Sequence, residues 1–362
     1  MSMIVQPTRP VYLVDIALLN AAGSAPSDLY GVAQPAQPVP FKLDRLARPV
    51  VAPHLATDLF DRKIQRSVES QGLRLLHCAA RLVPALQALQ LPAERVALTA
   101  AIPEVDAPSP CWDAVEAIRQ QPDKLLGQLF ANTPPLHALT LLNSSVMAYV
   151  AEGLRCNGPM GGYCSQGNAG VDALIEAVAM LAEARADAAL VVSSSPNITP
   201  ALYLREGTSY PTGSDADIYG EGAAALLLAT APQASSPLRV RVAGSGRGYS
   251  ASAERAMPLA ERVLQQALNA ERVQLNDIEQ IVADEHDPVL SELFTHNAAP
   301  RSSRGLTGDL GASALLTDIA YALGDPRHAD EPRSRYVLLM TRSRAGHCGA
   351  LLLEVAKMEK GA

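Results

Sequence analysis

Apolar residues recur along this chain in two periods, one of strands and one of helices. Val11–Leu19 (VYLVDIALL) is a nearly continuous β-rich apolar run that gives way to Asn20, Ala21, Ala22 and Gly23, which predicts a strand and then a turn. Residues 31–57, rich in Pro and Ala, read as a surface excursion. Arg66–Leu89 carries apolar residues at helical spacing, with Pro84 as a kink or break. Arg95–Ile102 reads as a short buried strand, Pro103–Pro110 as a loop, and Pro135–Leu154 as a turn leading into a helix. Gly158–Gly170 is dense in glycine and small residues, and the strongest helical pattern, Val171–Arg185, follows it directly. Ala188–Val192 is then a buried strand, so the segment is a loop–helix–strand unit of the kind that crosses over a sheet. Gly220–Ala229 is a further apolar strand.

The second part of the chain repeats this theme. Val240–Val242 opens a strand, Ala256–Leu268 is a helix and Ile278–Ala283 a strand. Gly308–Leu323 is a Gly/Ala-rich loop running into a helix, and Tyr336–Thr341 and Gly349–Val355 are strands joined by the hairpin Arg342–Cys348. One long α/β pattern thus occurs about twice, and the division falls near residue 230, giving units 1–230 and 231–362.

Composition narrows the class. With 362 residues and 48% hydrophobic content the chain buries a large core, and at 4% aromatic content that core is built from small and aliphatic side chains. A net charge of −7 does not suggest a nucleic-acid binder. The five cysteines form no CxxC pair, the first residues (MSMIVQPTRPVYLVD) lack the long apolar run expected of a signal peptide, and no apolar run is long enough to span a bilayer. The expectation is a cytoplasmic protein with reduced thiols. Because His and Cys do not cluster at ligand spacing, no metal is expected.

Several ordered motifs resemble the β-ketoacyl synthases of the thiolase superfamily. Asn143–Gly170 is similar to the synthase stretch that runs from an Asn through Gly-Pro (here Gly158 and Pro159) to the nucleophile. Ala186, Asp187 and Ala188 before Leu190–Val192, the run Gly220–Ala223 (GEGA), and Thr307–Ala312 (TGDLGA, against Thr-Gly-His-Xaa-Xaa-Gly-Ala) resemble further family segments in the same order. The resemblance implies an α/β fold of the thiolase-like five-layered α/β/α/β/α type, made of two similar halves. It also implies dimerisation through the region near the nucleophile strand.

A synthase of this family uses a Cys at a sharp turn before a helix, where the thiolate is favoured, and two His that stabilise developing charge. Carried over in register, the nucleophile position is Gly167, nine residues after Gly158. The two His positions are Asp284 and Asp309, and a preceding Lys is Arg304. All three catalytic groups are therefore replaced. The C-terminal loop at 342–350 (RSRAGHCGA) and Asn168–Leu174 (NAGVDAL) resemble chain length factors, the non-condensing partners of ketosynthases in type II polyketide systems. A Gln is common at their nucleophile position, and Gln166 lies one residue early here. The resemblance implies a catalytic ketosynthase subunit as heterodimer partner, an acyl carrier protein delivering acyl groups on phosphopantetheine, and no bound cofactor. Gln166, Arg304, Arg342 and Arg344 are the candidate substrate or partner contacts.

Two alternatives stay open. Cys164, with His286 or His347, is a displaced nucleophile for an active acyltransferase or ketosynthase, or the chain is a homodimeric acyl-binding scaffold. Each candidate also has a plain structural reading. Gly167 would permit close helix packing, and Cys164 would be a small buried residue. Asp284 and Asp309 would be caps or loop residues. His286 and His347 would be loop residues, and Arg342 and Arg344 solvated hairpin residues.

Overall fold

The structure is a computed structural model that describes residues 9–41, 44–103, 109–133, 143–206, 218–232, 238–297, 299–328 and 333–357. Its strands are β1 (Tyr12–Asn20), β2 (Gln37–Pro38), β3 (Leu46–Arg48), β4 (Val96–Ala101), β5 (Met160–Tyr163), β6 (Ala188–Ser194), β7 (Tyr219–Gly220), β8 (Gly222–Ala229), β9 (Leu238–Tyr249), β10 (Ile278–Ala283), β11 (Arg335–Arg342) and β12 (His347–Lys357). The helices that cover them are α1 (Ser70–Arg81), α2 (Asn143–Leu154), α3 (Ala169–Ala182), α4 (Ala256–Asn269) and α5 (Ala314–Leu323).

Nine strands hydrogen-bond in the order β10-β11-β12-β9-β1-β8-β6-β4-β5. The order contains the same motif twice. Going outward from the middle, β1-β8-β6-β4 and β9-β12-β11-β10 each pair antiparallel, antiparallel and then parallel. The two sets meet through a short contact, Tyr12 with Arg241 and Leu13 with Val240. β2, β3 and β7 form a separate small sheet in which parts of the 31–57 excursion are tied to Tyr219 and Gly220.

Alternation along the strands explains the layers. In β6, Ala188, Leu190 and Val192 face one apolar cluster with α1 and α2, whereas Ala189 and Val191 face a second cluster with α3 and α5. In β11, Val337 and Leu339 join that second cluster, while Leu338 and Met340 face a third with α4. The result is helix, sheet, helix, sheet, helix, with α3 and α5 sandwiched in the centre. Strands buried on both faces read as continuous apolar runs, which is why they stand out in the sequence.

The Arg66–Leu89 pattern is broken at Leu82, and Pro84 sits in the first turn of the next helix, Val83–Ala88, where its missing N–H costs nothing. Two readings are corrected. Ser109 and Pro110, expected to end a loop, open the helix Ser109–Gln120, since proline suits a first helical turn. Within the Gly-dense stretch, Met160–Tyr163 forms the strand β5, because four residues with two glycines carry too little apolar pattern to show. Residues 134–142, part of the expected Pro135–Leu154 turn and helix, lie outside the described residues; the helix itself begins at Asn143. Among the described residues no helix is long and apolar enough to cross a membrane.

Candidate functional site

The Gln166–Asn168 turn connects β5 to the central helix α3. Gln166 has φ 52°, a left-handed backbone held by a residue with a side chain. Such a conformation costs on the order of 1 kcal/mol and persists only where its surroundings fix it. Two clamps do so. The Ser165 hydroxyl donates to the Asp172 carboxylate one turn into α3, and Arg247 reaches the other oxygen of Asp172 at 3.3 Å. The Thr341 hydroxyl donates to Asn168 Oδ1 at 2.9 Å, tying the turn to the β11–β12 hairpin. That hairpin approaches closely because of Gly349: a Cβ there would come within 2.6 Å of Asn168 Oδ1 and of Val171.

Gly167 is not required by packing. A Cβ at this position would meet only the Arg342 carbonyl, at 3.7 Å, and its backbone is not left-handed. The expectation that this glycine permits close helix packing is corrected. The glycine with that role is Gly170, whose Cβ would press on Ala312 O, Leu315 and Leu316 at 3.1–3.2 Å. Gln166 and Cys164 are exposed at the surface beside this turn. The plain reading of Cys164 as a small buried residue therefore does not hold; the buried thiols are Cys78, Cys156 and Cys348, each pushed up to about 12 by burial.

The structure brings Asp284, Arg304 and Asp309 together. Asp284 directly follows β10, Arg304 opens a short helical turn at Arg304–Thr307, and Asp309 lies two residues beyond that turn. The Arg304 guanidinium lies between the two carboxylates, paired with Asp284 Oδ2 on one side and with Asp309 Oδ2 at 3.1 Å on the other. Burial pushes Asp309 up. Arg304, the Gly311 N–H on Asp309 Oδ1 (2.9 Å) and Arg344 outweigh it and hold the carboxyl below its ordinary value. At Asp284 burial dominates, and its carboxyl is raised despite Arg304. Deeper in, Asp318 of α5 accepts the Ser303 N–H at 3.0 Å and the Ser303 hydroxyl at 2.7 Å; burial pushes it up to about 7. A cavity of about 50 Å³ lies among these groups, lined by Asp284, Ser303, Arg304, Thr307, Asp309 and Asp318. It has room for a water or two and none for an acyl chain. A second cavity of about 610 Å³ opens on the outer face between Val83, Leu86, Leu91 and Leu154, and touches none of the candidate residues.

The other candidates are placed as follows. His286 donates its backbone N–H to Asp284 Oδ1 at 3.0 Å, and its Nδ1 lies 3.5 Å from the same oxygen. Asp284, Glu285 and His286 bring ligand-type atoms within 4.8 Å of one another. Asp284 is already engaged by Arg304, and Glu285 accepts the Ser302 hydroxyl at 2.6 Å, so the group is an ion-pair corner. His347 packs its ring against Tyr249 with centroids 4.9 Å apart. Arg342 is half-buried and paired with Asp287 at 2.9 Å, while Arg344 is exposed on the hairpin turn. Sequence reasoning missed Ser303, Asp318 and the Asp172 clamp. Asp172 lies within a quoted motif, but nothing in the sequence marks Asp318 as facing Ser303.

No family model matches the chain, and no curated protein matches it in sequence. Solved structures share its fold. The ishigamide ketosynthase/chain length factor superposes with a TM-score of 0.73 at 16% identity, over 96% of this chain and 99% of that one. The complex of the ketosynthase ApeO with its chain length factor ApeC from Xenorhabdus doucetiae gives 0.71 at 16% identity, over 98% and 100%. A β-ketoacyl synthase from Burkholderia phymatum gives 0.66 at 15% identity, over 97% and 100%. The chain thus has the thiolase-like fold of ketosynthases and chain length factors.

Proposed function

We propose that this chain is a chain-length-factor-like, non-condensing partner of a β-ketoacyl-ACP synthase, in type II polyketide or fatty-acid-like biosynthesis of the aryl polyene kind. The observation that carries the reading is the Asp284–Arg304–Asp309 ion-pair cluster, formed by the residues that the sequence resemblance aligns with two His and a Lys of a synthase. Condensation needs donors aimed at a developing oxyanion. An ionised carboxylate only accepts hydrogen bonds, and the guanidinium here is turned onto the two carboxylates. Gly167 supplies no nucleophile at the turn.

Two further features support a partner role. β5 ends the nine-stranded order and pairs only with β4 among the described residues, so one sheet edge is open beside the strained Gln166 turn. The cavity at the family's catalytic position holds no acyl chain, so a growing chain would run along the contact with the catalytic subunit, and this chain would bound that tunnel. Acyl groups would arrive on the phosphopantetheine of a carrier protein, with the exposed Arg344 among the residues available to the partner or carrier.

Co-expression with the synthase subunit of a neighbouring gene, followed by a malonyl-carrier condensation assay, tests this. The isolated chain is expected to condense nothing and to restore activity to its synthase. Condensation by the isolated chain, or an acyl adduct on Cys164 in mass spectrometry, would overturn the reading in favour of a displaced Cys164 enzyme. A stable homodimer in ultracentrifugation that ignores the synthase would favour an acyl-binding scaffold.

A further inference from the structure

Asp318 has no assigned role in the proposed function, yet from α5 it anchors the start of the loop that carries Arg304 and Asp309. Its carboxyl links the central helix α5 to Ser303, accepting from both the N–H and the hydroxyl. Elsewhere the loop is held by charged contacts, Ser302 to Glu285, Arg304 to Asp284 and Asp309, and Arg48 Nη2 to the Gly305 carbonyl at 3.1 Å, and at its end by backbone bonds from Asp309 N–H to the Ile218 carbonyl at 2.8 Å and from Gly220 N–H to the Asp309 carbonyl at 2.9 Å.

Charge around Asp318 is unbalanced. From the end of β10 it faces Asp284 and Glu285, both of which push its carboxyl up. Across the small cavity lie Arg304 and Asp309, and Arg304 is committed to Asp284 and Asp309. On its own helix Tyr321 lies one turn on, with Arg301 acting on that tyrosine. Tyr30 and Arg335 bond the Tyr321 and Ala322 carbonyls at the far end of α5. A proton on Asp318 leaves two carboxylates shared by one guanidinium. Losing it places a third negative charge in about 50 Å³, where room for solvating water is minimal.

We propose that Asp318 is a proton-operated latch: protonated, it holds the Ser302–Asp309 loop against α5, and ionised, it drives the loop away and admits water to the cavity. The direction follows from the environment. The carboxyl is raised from 3.8 to about 7, so the folded state keeps a proton that the unfolded chain gives up. The stabilisation is present at low pH and is lost as pH rises through about 7. The latch is independent of the partner role, because it concerns only how this chain holds its own loop.

Hydrogen exchange of the full chain reads it directly. After correction for intrinsic rates, the peptide spanning 302–309 is expected to lose about tenfold in protection between about pH 6 and about pH 8, while α1 on the outer face keeps its protection. Asp318→Asn, neutral at both values, is expected to protect the loop equally at both. Equal protection of the wild-type loop at both pH values, or the same loss in Asp318→Asn, overturns the latch. If Asp318→Asn does not fold, Ser303→Ala decides. It removes a hydrogen bond that favours the ionised carboxyl, so the midpoint of the loss is expected to move to higher pH; a midpoint that stays or falls overturns the proposal.

Discussion

Glycine 167 is the residue on which the comparison with a condensing enzyme turns, and its surroundings are empty enough to test. A Cβ there touches only Arg342 O at 3.7 Å, so Gly167→Ala adds no clash and removes freedom from the unfolded chain. We expect it to stabilise the protein by about 0.5 kcal/mol in urea unfolding. Gly220→Ala is the opposite case: its Cβ would fall 1.9 Å from the Thr307 carbonyl, and a loss of about 3 kcal/mol is expected. A destabilised Gly167→Ala would return this glycine to a packing role. The identities at 167, 284, 304 and 309 were legible in the sequence because each sits inside a short ordered motif. What those residues do to one another was not. Asp284 and Arg304 are separated by a helix and a loop, and only the folded chain shows a guanidinium pairing both carboxylates. Taken singly, each aspartate is only an acceptor where a synthase has a histidine; in the folded chain both share the one Arg304 guanidinium, which offsets part of their charge.

At the scale of elements, the long buried strands and α3 were readable because burial on both faces writes continuous apolar runs. β5 was not readable, although it ends the nine-stranded order. Leu98 N–H bonds Pro159 O, and Ile102 N–H bonds Tyr163 O, so alternate residues of β5 turn their amides toward β4. Met160 and Gly162 therefore direct theirs away from the sheet. The opposite edge is capped at its end by one residue: Arg301 pairs with β10 through Ala283 N–H to Arg301 O at 3.0 Å and Arg301 N–H to Ile281 O at 3.2 Å. Among the described residues this edge is unpaired and carries an exposed methionine with no charge or bulge to blunt it, which suits it to pairing in the proposed heterodimer. Met160→Lys should leave the isolated fold within about 0.5 kcal/mol of wild type, since the side chain is 55% exposed. If the proposed partner role holds, it should weaken association with the synthase subunit by at least about tenfold in a titration. Unchanged association would move the interface away from β5.

For the whole molecule, the repeated strand motif raises the question of whether the halves are one folding unit. The hydrogen-bonded contact between them is short, Tyr12 and Leu13 against Arg241 and Val240, and would not by itself couple two sheets. The central layer does. α3 belongs to the first repeat and α5 to the second, and both pack in one apolar cluster with residues of both sheet halves, from Ala189 and Leu226 to Leu339 and Leu353. Leu316 on α5 is fully buried there, and a Cβ at Gly170 of α3 would come 3.2 Å from its Cδ1, so this side chain sits at the crossing of the two helices. Leu316→Ala removes the contact from both sides at once and is expected to cost about 3 kcal/mol. If the central layer makes the halves one unit, that loss appears equally in the exchange protection of β4 and β6 and in that of β10 and β11, with a single unfolding transition. A loss confined to β10 and β11 would mean that the second half opens alone, and that the shared cluster does not couple the open β5 edge to the Asp284–Arg304–Asp309 corner.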